Sequence, residues 1–209
     1  MKKMWICSIL AVIACFALGW TSSQRVRQSV RFTPVHVKAH VQWASQAGTV
    51  AQQVEEADAV VRGHVTKILK PHIMEGPLGD QTDHRFPSKF DVLVFTEALF
   101  KVDKVFRGDV PELINVIQTG GTVPENANHP TLQVEVGDDP LLVRGREYVL
   151  FLQEINDDSV LAPHRKVYRI VNSAGRYDIN GDKVVSYSDL PGKRPTRFAD
   201  LRQQIRATR

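Results

Sequence analysis

Beyond residue 15 this chain of 209 residues has no cysteine, and Cys7 and Cys15 both lie in its first twenty positions. Whatever folds after them has no disulfide to close and no thiolate to offer a metal or a substrate, so its core must hold it alone. G-x-S-x-G, H-E-x-x-H, G-x-G-x-x-G and phosphate-loop strings are also missing, which removes the common signatures of serine hydrolases, zincins and nucleotide-binding folds. Gly120-Gly121 is a lone pair and reads as a turn. No repeat recurs at a fixed period. The body, residues 39–190, carries 15 basic against 22 acidic side chains. A nucleic-acid groove needs clustered cations on a folded face, so that partner class is set aside.

The chain opens MKKMWICSILAVIACFALGW, two lysines before a largely apolar run from Met4 to Trp20. This is an export signal. Three fates stay open for residues 1–20: cleavage after Gly19, lipidation at Cys15 in the loose lipobox Val12-Ile13-Ala14-Cys15, or retention as a membrane anchor flanked by Trp5 and Trp20. About 190 residues follow, enough for one domain burying roughly 70% of its unfolded surface. At 43% hydrophobic and 24% charged, the composition is that of a globular protein. Basic charge collects at the ends: four cations and no anion in residues 25–38, six cations and one anion in 191–209. Solvated flanks, or attraction to anionic headgroups or wall polymers, both account for it.

Residues 21–41 show no clean period and read as a basic tether before a domain spanning 42–190. A short helix is expected with Val50, Val54 and Ala57 on one face, then a strand over 59–69 in which Gly63 marks a bulge or bend. Residues 70–89, punctuated by Pro71, Gly76, Pro77, Gly79 and Pro87, read as a long loop. In the strand over 90–106, Phe90, Val92, Val94, Ala98, Phe100 and Val102 share one parity, and Val105 breaks it, which places a bulge near Asp103-Lys104. A third strand covers 112–118. Residues 119–145 read as loop, with Leu132–Val136 alternating as a short edge strand. The segment 146–155 is apolar on both faces in its middle and should sit at the centre of the core. Strands over 167–171, 175–179 and 182–187 complete the set. A basic C-terminal helix follows in 191–209, capped by Thr196, whose stripe Phe198, Leu201 and Ile205 should dock on the barrel.

Two structures compete for YDINGDKVVSYSDL (177–190). A calcium loop would use Asp178, Asn180, Asp182, Ser186 and Asp189, but its sixth position, which demands glycine, is Lys183, and no exiting helix follows. A hairpin turning on Asn180-Gly181 needs only positive φ there, and is the preferred reading. His64, His72 and His84, with Glu75, Asp80 and Asp83, suggest a metal site in the 70–89 loop, although their spacing matches no compact zinc motif. His129 and His164 sit beside prolines in loops. The pairs Asp138-Asp139 and Asp157-Asp158 read as turn formers. Phe90, Phe95, Phe100, Phe106, Tyr148 and Phe151 read as core.

Five segments in order, EEADAVVRGHV (55–65), FTEALFKVDKVFRGD (95–109), QTGG (118–121), DDPLLVRGREYVLFL (138–152) and SAGRYDINGDKV (173–184), resemble a group of uncharacterised secreted bacterial proteins with an OB-like barrel, distantly similar to tissue-inhibitor and netrin-type modules. The resemblance implies a fold and carries over no activity and no catalytic, metal or cofactor residue. The expectation is therefore a mainly β protein, an OB-like antiparallel barrel with a short N-terminal helix and a C-terminal helix. Its expected role is a non-catalytic extracytoplasmic or envelope-associated binding module, with contacts from the loops 70–89 and 119–145 and an unknown protein or envelope component as partner. A metal-dependent hydrolase using 70–89 and calcium-dependent binding through 178–189 are the alternatives.

Overall fold

A computed structural model describes residues 34–39, 45–75, 92–125, 131–137, 139–156, 165–186 and 195–208. Residues 1–20, read as an export signal, residues 76–89 of the expected loop over 70–89, and Phe90, His84, His129, His164, Asp138, Asp157, Asp158 and Asp189 lie outside them. The described elements belong to one compact unit, Thr33–Arg209. In chain order they are β1 (Val35–Ala39), α1 (Val50–Glu56), β2 (Ala59–Ile68), β3 (His72–Glu75), β4 (Val92–Arg107), β5 (Leu113–Thr119), β6 (Gly121–Val123), β7 (Leu132–Val136), β8 (Glu147–Asn156), β9 (Lys166–Ile170), β10 (Arg176–Asn180), β11 (Lys183–Val185) and α2 (Phe198–Ala207).

The barrel closes through five strands in the order β8-β2-β4-β5-β9, with β9 returning to β8. Its pairings are antiparallel except β5 with β9, where Val116 and Ile117 run parallel to Tyr168 and Arg169. One edge of β8 pairs with β2, while the other is shared in succession by β10 over Glu147–Leu150 and by β9 over Leu152–Asn156. This position explains why β8 is apolar on both faces. Tyr148, Leu150 and Leu152 fill the barrel with Val61, Phe100 and Val116. Val149 and Phe151 point outward into a second cluster with Val54, Phe106, Tyr177, Leu201 and Ile205. The two helices cover that outer face.

Helix α1 begins at a reciprocal cap: Gln52 N–H donates to Thr49 Oγ1 (3.3 Å) and Thr49 N–H donates to Gln52 Oε1 (3.1 Å). Helix α2 starts one residue later than the sequence suggests. Arg197 is its N-cap, without a side-chain bond, because the chain ahead is held in strand fashion against the β10–β11 hairpin: Thr196 C=O accepts from Val184 N–H, and Lys183 bridges Arg197. The Leu201 and Ile205 stripe is fully buried, and the Arg62 guanidinium lies 4.7 Å over the half-buried Phe198 ring.

Of the three register shifts between β2 and β4, one falls where the parity breaks. Gly63 pairs with Val102 and Arg62 with Lys104, leaving Asp103 as the extra residue. A Cβ on Gly63 would sit 2.0 Å from the Lys101 carbonyl oxygen, so the two backbones approach where only glycine fits.

Three expectations are corrected. Residues 35–39, read as tether, form β1, because Val35 and Val37 pack against Val94, Val123, Leu132 and Val134. Residues 72–75, read as loop, form β3 along β4. Leu132–Val136 is the middle of a three-stranded sheet, parallel to β1 and antiparallel to β6, so it is no edge.

Candidate functional site

The three-stranded sheet buries one face and presents the other. Leu132, Val134, Val136 and Val123 face inward, whereas Lys38, Thr122, Gln133 and Glu135 are exposed. This alternation is period two, read directly from LQVEV. A cleft of about 460 Å³ opens on the polar side, between those residues and a wall made by Asp139, Pro140 and Leu141. Its size is within the range of small-ligand sites, roughly 300–1,000 Å³. Gly120 and Gly121, at φ 109° and 135°, carry the chain from barrel strand β5 into β6, and a Cβ on Gly121 would lie 2.3 Å from Thr96 Oγ1. The pair is thus a close crossing rather than a reversal.

The wall is irregular backbone, yet three strands hold it, β5 and β8 of the barrel and the neighbouring β10. The buried Arg176 guanidinium, from β10, donates to Pro140 C=O and lies 3.5 Å from Asp139 Oδ1. Gln118 Oε1, from β5, accepts Leu142 N–H at 2.8 Å. Tyr148 Oη, from β8, accepts Val143 N–H at 3.0 Å. Burial pushes the Tyr148 phenol up from its ordinary value, which keeps it neutral. Leu142 then caps the barrel interior. Polar backbone that cannot pair in a ladder is satisfied by side chains from rigid elements, which fixes the wall beside the cleft.

On the sheet floor, Gln133 Nε2 donates to Glu135 Oε1 (3.0 Å), and His36 Nε2 lies 3.4 Å from the same oxygen. The arrangement offers hydroxyls, amides and both signs of charge over a partly apolar surface. Among the described residues it brings together no nucleophile with an activating base.

The expected site residues separate in space. His64, on β2, meets Asp103 at 3.1 Å, and His72, on β3, stacks on Phe95 with ring centroids 6.0 Å apart. Among the described residues no three His, Cys, Asp or Glu side chains converge on a common point. Residues 176–185 are a hairpin, with Ile179 opposite Val184 and Asn180 opposite Lys183. The turn is therefore Gly181-Asp182, one residue later than Asn180-Gly181, with Gly181 at φ 61°. The carboxylates of the competing calcium loop face guanidinium groups: Asp178 meets Arg146 (3.4 Å) and Arg176 (3.5 Å), and Asp182 meets Arg197 (3.0 Å). Asp139, read as a turn former, is buried at 5% exposure in an ion pair. The aromatic residues Phe95, Phe100, Phe106, Tyr148 and Phe151 are core.

Sequence reasoning missed Arg176 and Gln118, and it placed Tyr148 in the core without its bond to the wall. One signal was present: Gln118 stands at the inward parity of Ile114 and Val116, whereas Arg176 shares its parity with Asp178 and gave none. No helix among the described residues is long and apolar enough to cross a membrane. No protein-family model, no curated protein and no solved structure matches the chain.

Proposed function

We propose that this chain is an exported, non-catalytic binding module whose ligand site is the cleft on the polar face of the three-stranded sheet. The observation that carries the reading is the wall over 139–143, held by Arg176, Gln118 and Tyr148 from three separate strands beside an exposed polar floor. Binding groups on irregular segments need such support to keep their geometry. Export follows from residues 1–20, and an envelope location with a protein or wall-polymer partner follows from the same segment together with the basic flanks. The expected binding loop over 119–145 supplies β6, β7 and the cleft wall.

The test is retention of the full chain on purified cell-wall polymer and on immobilised envelope extract, comparing wild type with Lys38→Ala/Gln133→Ala. A tenfold loss of retention in the variant, with its melting temperature unchanged, supports the cleft. Equal retention on both matrices removes it.

A further inference from the structure

A second cleft, of about 430 Å³, opens between the segment 45–47, the end of α1 and the end of β9 where it pairs with β8. It shares no lining residue with the cleft on the three-stranded sheet. The buried side chains Ile170 and Val171 give it an apolar lining. Arg169 stands directly opposite Gln153 in the β8–β9 ladder, and its Nε donates to Gln153 Oε1 at 3.1 Å. That bond fixes one edge of the guanidinium and leaves Nη1 and Nη2 without an acceptor among the described residues. The same Gln153 side chain donates from Nε2 to the Glu56 C=O at 3.3 Å, so one amide holds residues 56 and 169 side by side. Glu56 is exposed, and among the described residues its carboxylate pairs with no cation, Arg169 included.

Ser45 adds a donor of fixed direction. Its Oγ accepts from Asn172 Nδ2 (2.9 Å) and from Ala47 N–H (3.2 Å). The Asn172 amide has one orientation only, because its Oδ1 accepts Ala174 N–H and Gly175 N–H. A hydroxyl has two lone pairs and one hydrogen. With both lone pairs taken, Ser45 can only donate, and among the described residues nothing accepts from it. The irregular segment that carries it is tied down at Ala47 C=O, which accepts from Gln53 Nε2 (3.4 Å) and from Asn172 Nδ2 (3.1 Å).

We propose that this second cleft binds a small α-amino acid with an aliphatic side chain. The ligand carboxylate accepts from the Arg169 Nη fork and from the Ser45 hydroxyl, a pairing suited to the planar guanidinium. Its ammonium donates to the Glu56 carboxylate. Its side chain covers Ile170 and Val171. An anion alone would be repelled by Glu56 and a cation alone by Arg169, so only a molecule carrying both charges gains at both ends. The proposal stands apart from ligand binding in the cleft on the three-stranded sheet, and neither depends on the other.

Three probes separate the two charges: L-leucine, isocaproate, which lacks the amine, and isoamylamine, which lacks the carboxylate. Backbone amide shifts of Gln46, Arg169 and Val171 are followed in the isotope-labelled full-length chain, kept soluble in detergent, as each probe is added. Leucine should bind at least tenfold more tightly than either analogue. Arg169→Gln should remove its preference over isoamylamine, and Glu56→Gln its preference over isocaproate, with melting temperatures unchanged. Equal affinity of the wild-type chain for all three probes, or no shift at these amides with leucine in the millimolar range, overturns the proposal without recourse to a variant. A preference for leucine that survives both substitutions overturns it as well.

Discussion

Arg176 and Asp139 lie 3.5 Å apart with 2% and 5% of their surfaces exposed, an ion pair joining β10 to the wall of the cleft. Asp178 Oδ1 stands 3.5 Å from the Arg176 Nε, so one guanidinium serves two carboxylates and the Pro140 carbonyl. Arg176→Met leaves Asp139 without this cation in a buried setting and Asp178 with Arg146. The expected cost is about 3 to 5 kcal/mol in urea unfolding. An Asp139→Asn/Arg176→Met double variant should recover part of that loss, and a double variant no better than the single one would show that the pair is not the coupled unit.

The pair Glu97 with Arg165 should contribute to the loss of stability in acid. Arg165 Nη1 and Nη2 donate to Glu97 Oε2 (2.7 Å) and Oε1 (2.5 Å), and Asn115 Nδ2 adds a third bond at 3.1 Å. These donors, Arg165 first, hold the Glu97 carboxyl below its ordinary value despite its burial. A carboxyl depressed in the folded state stabilises fully above its unfolded value, near pH 4.3, and loses that contribution as pH falls through the folded value. Glu97→Gln should therefore cost on the order of 1–2 kcal/mol at pH 7, discounted because Arg165 is partly in water, and should flatten the fall in stability below about pH 5. An unchanged acid slope in the variant would assign the transition to other carboxylates.

Two glycines should respond very differently to alanine. At Gly63 the added methyl meets the Lys101 carbonyl at 2.0 Å, and neither backbone can retreat without opening the β2–β4 ladder. At Gly181 nothing lies within 4 Å, and only the left-handed φ of 61° opposes the change. Calorimetry should find Gly181→Ala costing about 1 kcal/mol and Gly63→Ala about 3 kcal/mol or more. Comparable melting temperatures for the two variants would mean that β2 and β4 do not cross as closely as described.

Calcium should leave the melting temperature unchanged, because a two-residue hairpin places Asp178 and Asp182 against arginines rather than around a common centre. A rise with millimolar calcium that Asp178→Ala removed would restore the loop reading of 178–189.

The alternation of apolar against charged residues placed β4; β2 and β5 also read as strands, and the double-faced apolar run over 148–152 placed β8 at the centre of the core. Parity also marked the Asp103 bulge, since a single extra residue must reverse which side chains face inward. The hairpin was legible because glycine beside asparagine narrows the turn to a few backbone shapes, although the pairing slipped it by one residue. Short segments failed for a physical reason. VHVKA and HIME carry too few apolar positions to be distinguished from loop, and become strands only because β7 and β4 offer them unpaired backbone and a groove.

What the sequence determined by itself, then, is local: which residues turn inward, where a ladder must bulge, and that the core closes without sulfur. The tertiary structure decided what no spacing encodes. Gln118, Arg176 and Tyr148 lie far apart along the chain, and only the assembly of β5, β8 and β10 into one sheet aims them at one irregular segment. The same holds for Asn172, whose amide ties Ser45 and Ala47 to the turn over 173–175. Such contacts depend on which strands become neighbours, and that choice is made by the packing of the whole core.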